Sequence, residues 1–160
     1  MYSVLYVDDA AELGDLGKLY LETIGDFAVT TADSADHALA LLKDRTFDLI
    51  LSDFDMPIMN GIGFLSAVRE QYRDIPFILF TARGRDEIVE EAISHGADFY
   101  LQKGGDAKAQ FAELAHKIRQ AVRRQRAENA LAQSRDYLDK IFSSVRAGIN
   151  GHRCRDSYRR

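Results

Sequence analysis

Apolar and polar positions follow two different rhythms along the first hundred residues. Short β-rich runs occur at Ser3–Val7, Phe27–Thr31, Phe47–Leu51, Ile75–Phe80 and Asp98–Leu101. They are brief and almost continuously apolar, as strands buried on both faces of a parallel sheet must be. Between them, apolar positions recur at helical spacing. Ala11–Ile24 places Leu13, Leu16, Leu19, Tyr20 and Ile24 on one stripe, and Gly25 ends it. Ser34 is set to cap a helix bearing Ala35, Leu39 and Leu42. Asn60-Gly61 opens a third helix with Ile62, Leu65 and Val68, and Asp86–Ser94 carries Ile88, Val89 and Ile93 before Gly96. Strict alternation of five strands with five helices predicts an α/β, (βα)5 doubly wound domain. Right-handed crossovers favour a five-stranded parallel sheet in the order 2-1-3-4-5.

The last helix breaks this rhythm by its length. It starts near Asp106 and meets no glycine or proline before Gly148. Phe111, Leu114, Ile118 and Val122 form a stripe able to pack on the sheet, and then Arg123-Arg124-Gln125-Arg126 interrupts. Beyond it Ala127, Leu131, Ser134, Leu138, Ile141 and Val145 recur at alternating steps of four and three, which is heptad spacing. Such a stripe, left in water, asks for a partner helix or a further domain. Residues 147–160 show no period and are expected to be disordered. The organisation expected is thus a folded domain over 1–122, a helical, coiled-coil-like segment over 123–146, and a tail.

Composition narrows the picture. At 160 residues, 46% apolar and 29% charged, the chain suits one soluble domain with an appendage. The net charge of −4 hides a division: residues 1–105 sum to −11 and residues 106–160 to +7. A basic end can mark nucleic-acid binding, but here it reads as a solvated helix face, and nothing resembles a helix-turn-helix reader. No apolar run is long enough for a membrane span, and the first residues carry no basic leader. The lone Cys154 has no partner for a disulfide or a structural zinc site. A reducing, cytoplasmic setting is expected.

The chemistry gathers at strand ends, where doubly wound sheets bind ligands. The first strand ends in Asp8-Asp9, the third in Asp53, the fourth in Thr81, and the fifth near Lys103. Taken singly, the aspartates are candidate helix or turn caps, the threonine a strand end and the lysine a surface cation. Together, at one edge of one sheet, they form a site. Three close carboxylates repel unless a hard cation such as Mg²⁺ offsets them. With a lysine and a hydroxyl donor beside them, the set suits a phosphoryl group accepted by one carboxylate.

Asp8-Asp9, the run Asp53-Phe54-Asp55-Met56-Pro57-Ile58-Met59-Asn60-Gly61, Thr81-Ala82 and Lys103 resemble the receiver domain of two-component response regulators. The likeness covers about residues 1–122 and implies a flavodoxin-like, CheY-like fold. It implies that Asp53 accepts a phosphoryl group from a sensor histidine kinase or phosphotransfer domain. Asp8, Asp9, Asp53 and the backbone carbonyl of Asp55 would hold Mg²⁺, and Lys103 would pair with the phosphoryl oxygens. Thr81 would bind the phosphoryl group and move inward on activation, with Tyr100 as the aromatic switch. Such a module signals and has no metabolic substrate, so it is not expected to be an enzyme in the ordinary sense.

One departure stands out. The family usually follows its lysine with a proline in a cis bond, but here Gly104-Gly105 follow, and a trans bond is expected. The run from Ser134 to Phe142 resembles the lead-in helix of a PAS sensory domain whose strands are missing, as in a truncated piece of a larger protein. The stripe after residue 127 suggests a parallel homodimer. The rival reading, a phosphatase of the haloacid dehalogenase type built on Asp53-Phe54-Asp55, wants that motif on the first strand and a cap domain. A dimerisation scaffold with a degenerate site is the third reading, and the intact site residues argue against it.

Overall fold

The computed structural model describes residues 1–158 apart from Arg83 and Arg85, with side chains described as far as Arg146. The tail expected to be disordered, 147–160, lies outside the fully described residues. Strands and helices alternate as β1 (Tyr2–Val7), α1 (Ala11–Ile24), β2 (Phe27–Ala32), α2 (Ala35–Asp44), β3 (Leu49–Ser52), α3 (Gly61–Gln71), β4 (Phe77–Thr81), α4 (Asp86–Ser94), β5 (Phe99–Gln102) and α5 (Ala107–Tyr158). The five strands form one parallel sheet in the order β2-β1-β3-β4-β5, as expected. Two compact units divide the chain, Met1–Gln125 and Arg126–Arg160.

The sheet separates two cores. On one face Leu5, Val7, Ile50, Phe77 and Leu79 pack with Ala38, Leu42, Phe64, Leu65, Val68, Ile88 and Ala92 of α2, α3 and α4. On the other, Val4, Tyr6, Leu49, Leu51, Ile78 and Phe80 pack with Leu21 of α1 and with Phe111, Leu114, Ile118 and Val122 of α5. The apolar stripe read at the start of the last helix is therefore the one that covers the sheet.

Local signals explain most boundaries. The Ser34 and Asn60 side chains accept hydrogen bonds from the His37 and Gly63 N–H groups, at 3.1 and 2.9 Å, and so cap α2 and α3. Gly25 and Gly96 close α1 and α4 with φ of 118° and 102°, a conformation that favours glycine.

The face of α1 corrects the expectation. Leu13, Leu16, Leu19 and Ile24 are all exposed, and the buried positions are Gly14, Gly17 and Leu21. The reason is Tyr6, whose ring lies under the helix. A Cβ on Gly17 would stand 3.1 Å from the Tyr6 ring, and one on Gly14 3.9 Å from it. Two glycines leave room for one large ring, so the helix turns its leucines away from the sheet. On α4 the predicted stripe is likewise partial, since Ile88 is buried and Ile93 exposed.

Candidate functional site

Because the strands are parallel, their carboxyl ends share one edge, and the register sets Val7 beside Ser52. The next residues on those strands are Asp8 and Asp53. One carboxylate oxygen from each of Asp8, Asp9 and Asp53 lies within 4.8 Å of the others. Asp8 and Asp53 are buried and Asp9 is exposed. Three oxygen donors of like charge on rigid strand ends suit a hard divalent cation such as Mg²⁺.

Asp8 is pinned from three sides. Its Oδ1 accepts from the Ala10 N–H at 3.0 Å. Its Oδ2 accepts from Lys103 Nζ at 2.9 Å and from the Tyr6 hydroxyl at 3.3 Å. It does not cap α1, whose cap position is Ala10 and carries no side-chain hydrogen bond. Lys103 arrives from the loop after β5, and its ammonium stands 3.9 Å from Asp53 Oδ2 and 5.4 Å from the centre of the Phe80 ring. It therefore spans both buried carboxylates.

Asp53 has opposed influences on its ionisation. Burial raises its pKa above the ordinary carboxylate value, and Asp8 adds to that; Lys103, a hydrogen bond from the Thr81 hydroxyl and the Phe54 N–H pull it down. The Phe54 N–H donates to Oδ1 at 2.8 Å. The remaining oxygen, Oδ2, stands 3.9 Å from the Lys103 ammonium. Thr81 is wholly buried and already joined to Asp53. Tyr100 is half-buried against the core, and its hydroxyl is shut away from solvent with no hydrogen-bond partner. Burial pushes its phenol pKa up. Asp55 is exposed in the loop after β3.

That loop is held tightly. Gly61 N–H donates to the Phe54 carbonyl at 2.8 Å, and a Cβ at Gly61 would stand 2.7 Å from Leu79 Cδ1 and 2.9 Å from Phe54 Cα. Only glycine permits this approach. Met59 N–H donates to the Pro57 carbonyl at 2.8 Å around Ile58, whose φ is 72°. A fully exposed isoleucine in the left-handed region is a strained residue, held by the turn on either side.

Two site neighbours escaped the reading of the sequence. Tyr6 looked like one apolar strand residue among others, yet it reaches Asp8, and the Gly14 and Gly17 spacing was its only trace. Gln110, in the first turn of α5, bonds the loop that carries Lys103. The bond after Lys103 is trans, as the missing proline led us to expect.

The comparisons agree with this geometry. The family model described as the response regulator receiver domain matches residues 4–119. Response regulator Rre1 of Synechocystis is 31% identical over 147 residues, covering 91% of this chain and 62% of that protein. Response regulator SaeR of Staphylococcus aureus is 31% identical over 155 residues, covering 95% of this chain and 65% of its own length. The chain thus spans a little under two thirds of these relatives. Among solved structures, a CheY-like receiver domain protein from Methanospirillum hungatei has a TM-score of 0.72 at 27% identity, covering 80% of this chain and 98% of that one. The regulator TrrA of Thermotoga maritima, in complex with Mg²⁺ and BeF, gives 0.66 at 27% identity over 76% of this chain and 99% of its own.

The chain belongs to the response regulator receiver family, and its fold is the CheY-like one. It is a phosphoacceptor module of two-component signalling. Receiver domains act as signalling phosphoacceptors.

Proposed function

We propose that Asp53 is the phosphoacceptor, taking a phosphoryl group from the phosphohistidine of a sensor kinase or phosphotransfer domain. The observation that carries this is Lys103, whose ammonium lies 2.9 Å from Asp8 and 3.9 Å from Asp53 at the edge where three carboxylates converge. An Asp53 oxygen forms the new O–P bond as the N–P bond to the donor histidine breaks, and the electron pair returns to the imidazole. Lys103 turns from Asp8 toward the developing phosphoryl charge, while Thr81 supplies a hydroxyl donor. Asp8, Asp9, Asp53 and the Asp55 carbonyl would hold Mg²⁺, which neutralises charge on the phosphoryl oxygens when bound. The relative solved with Mg²⁺ and BeF supports this assignment. Mass spectrometry after treatment with acetyl phosphate and Mg²⁺ tests it. A gain of one phosphoryl group, absent in Asp53→Ala, is expected; equal labelling of both proteins would refute the assignment.

Phosphorylation would be read out through Thr81 and Tyr100. The Thr81 hydroxyl would pass from the carboxylate to a phosphoryl oxygen, and the Tyr100 ring, whose hydroxyl has no bond to hold it, would follow. The surface of α4, β5 and α5 is then the element that changes. Amide shifts on adding beryllofluoride should extend beyond the site to Tyr100; shifts confined to residues around Asp53 would sink this coupling. The exposed Leu13, Leu16 and Leu19 of α1 support a protein partner docking close to the site. The segment 123–146 acts as a linker toward a PAS-like region and as a homodimer contact, supported by its heptad spacing. The setting is cytoplasmic, consistent with the absence of any membrane-spanning helix among the described residues.

A further inference from the structure

Lys103 has no proline beside it, and the chain that presents it is followed by two glycines. Gly104 and Gly105 have φ of 152° and 75°, and a Cβ on either would meet nothing within 4 Å. The glycines are there for their backbone angles and not for want of room. Consecutive glycines also give this segment much conformational freedom to lose. Asp8 holds the tip of the lysine, but the loop backbone that presents it needs a restraint of its own.

Gln110 meets that need by its chemistry. The tip of a glutamine offers an NH2 donor group and a carbonyl acceptor side by side. Its Nε2 donates to the Gln102 carbonyl, and its Oε1 accepts from the Gly104 N–H at 3.1 Å. These two backbone groups flank Lys103. The Lys103 N–H itself donates to the Thr81 carbonyl at 2.8 Å. Gln110 in turn stands on a fixed base. Asp106 opens α5, accepting through Oδ2 from the Ala109 N–H at 3.2 Å and through its carbonyl from the Gln110 N–H at 3.0 Å. Glutamate would lack the donor and methionine would lack both groups, while asparagine is one methylene short.

We propose that Gln110 is a positioning residue for Lys103, its amide clamping the loop on both sides of the lysine in place of the family's proline. The inference rests on the reading of Asp53 as phosphoacceptor with Lys103 as its phosphoryl partner. It goes beyond that reading by naming what aims the lysine. A catalytic group displaced by about 1 Å loses up to a hundredfold in rate, so a loop lock bears directly on the transfer step.

The test is a double-mutant cycle in the full chain. Gln110→Met keeps the stem and removes both hydrogen bonds. It should slow Asp53 phosphorylation by acetyl phosphate at saturating Mg²⁺ by roughly fivefold, less than the full worth of two hydrogen bonds because Asp8 still holds the lysine tip. The Mg²⁺ affinity, read by titration of the melting temperature, should stay within twofold, since no proposed ligand is touched. In a Lys103→Ala background the same substitution should change the already reduced rate by less than twofold. A Gln110→Met protein phosphorylated at the wild-type rate overturns the proposal, and so does a fivefold loss that persists without Lys103. If Gln110→Met does not fold, hydrogen exchange in the wild-type protein decides: Gly104 N–H should be protected, and exchange at the free-chain rate overturns the clamp. Absence of any phosphorylation in the wild-type protein would instead refute Asp53 as acceptor, while the Gly104 protection would still report on the clamp.

Discussion

At the carboxyl edge of the sheet, charges sit where water is scarce; along the second half of α5, apolar side chains sit where water is plentiful. Asp8 and Asp53 are buried within one cluster of carboxylates, relieved by the Lys103 ammonium shared between them. Leu131, Leu138, Ile141 and Val145 are 41–55% exposed. Each arrangement costs free energy, by desolvated like charge in one case and hydrated apolar surface in the other. The two costs are borne differently. The crowded carboxylates sit on strand ends whose neighbours are fully buried, so the packed body holds them in place. The stripe on α5 has no such support among the described residues of its own unit, and association would relieve its cost. A strained site inside a rigid body is suited to switching, and an apolar stripe on a lone helix is suited to pairing.

The sharpest way to break the contrast is inside α5 itself. Leu114 is fully buried, so Leu114→Ala should cost about 2–5 kcal/mol in urea denaturation. Leu138→Ala should cost under about 0.5 kcal/mol at dilute, monomeric concentrations. Equal losses would mean that the second stripe is covered in the monomer.

At the carboxylate edge, Mg²⁺ should raise the melting temperature. At tenfold above its dissociation constant the gain is about 1.4 kcal/mol. An unchanged melting temperature in millimolar Mg²⁺ would mean that the cluster is no metal site.

A smaller effect concerns protons. Burial raises the Asp53 pKa, so the folded state favours the protonated acid. The contribution of Asp53 to stability is then greatest below the ordinary carboxylate pKa and is lost as pH rises through the folded value. Asp53→Asn should therefore melt a few degrees above wild type at neutral pH, and this advantage should vanish as pH falls to about 4. An advantage independent of pH would point to packing and not to charge.

The smallest effect expected on the body comes from removing the second region altogether. A chain ending at Gln125 should sediment as a monomer and keep the melting temperature of the body within a degree or two. A truncated form that still dimerises would move the contact to the receiver surface.

The gathering of the candidate site residues was legible, because a parallel sheet forces strand ends to one edge and the aspartates, Thr81 and Lys103 lie at the ends of their strands. Periodicity also found every helix, and Ser34, Asn60, Gly25 and Gly96 marked their ends, since caps act through residues a few positions away. Periodicity failed on α1. It counts leucines as inward, whereas the Tyr6 ring needs the space that Gly14 and Gly17 leave. It was equally blind to the Tyr6 hydroxyl on Asp8 and to the Gln110 amide on the Lys103 loop.

What the sequence by itself determined is the strand and helix order and the identity of the groups at the carboxyl edge, because those follow from local pattern and a topological rule. What only the tertiary structure decided is which face of α1 is buried and which neutral side chains orient the charged ones. Volumes and hydrogen bonds between elements far apart in the chain leave no period to read, and they are settled only when the elements pack.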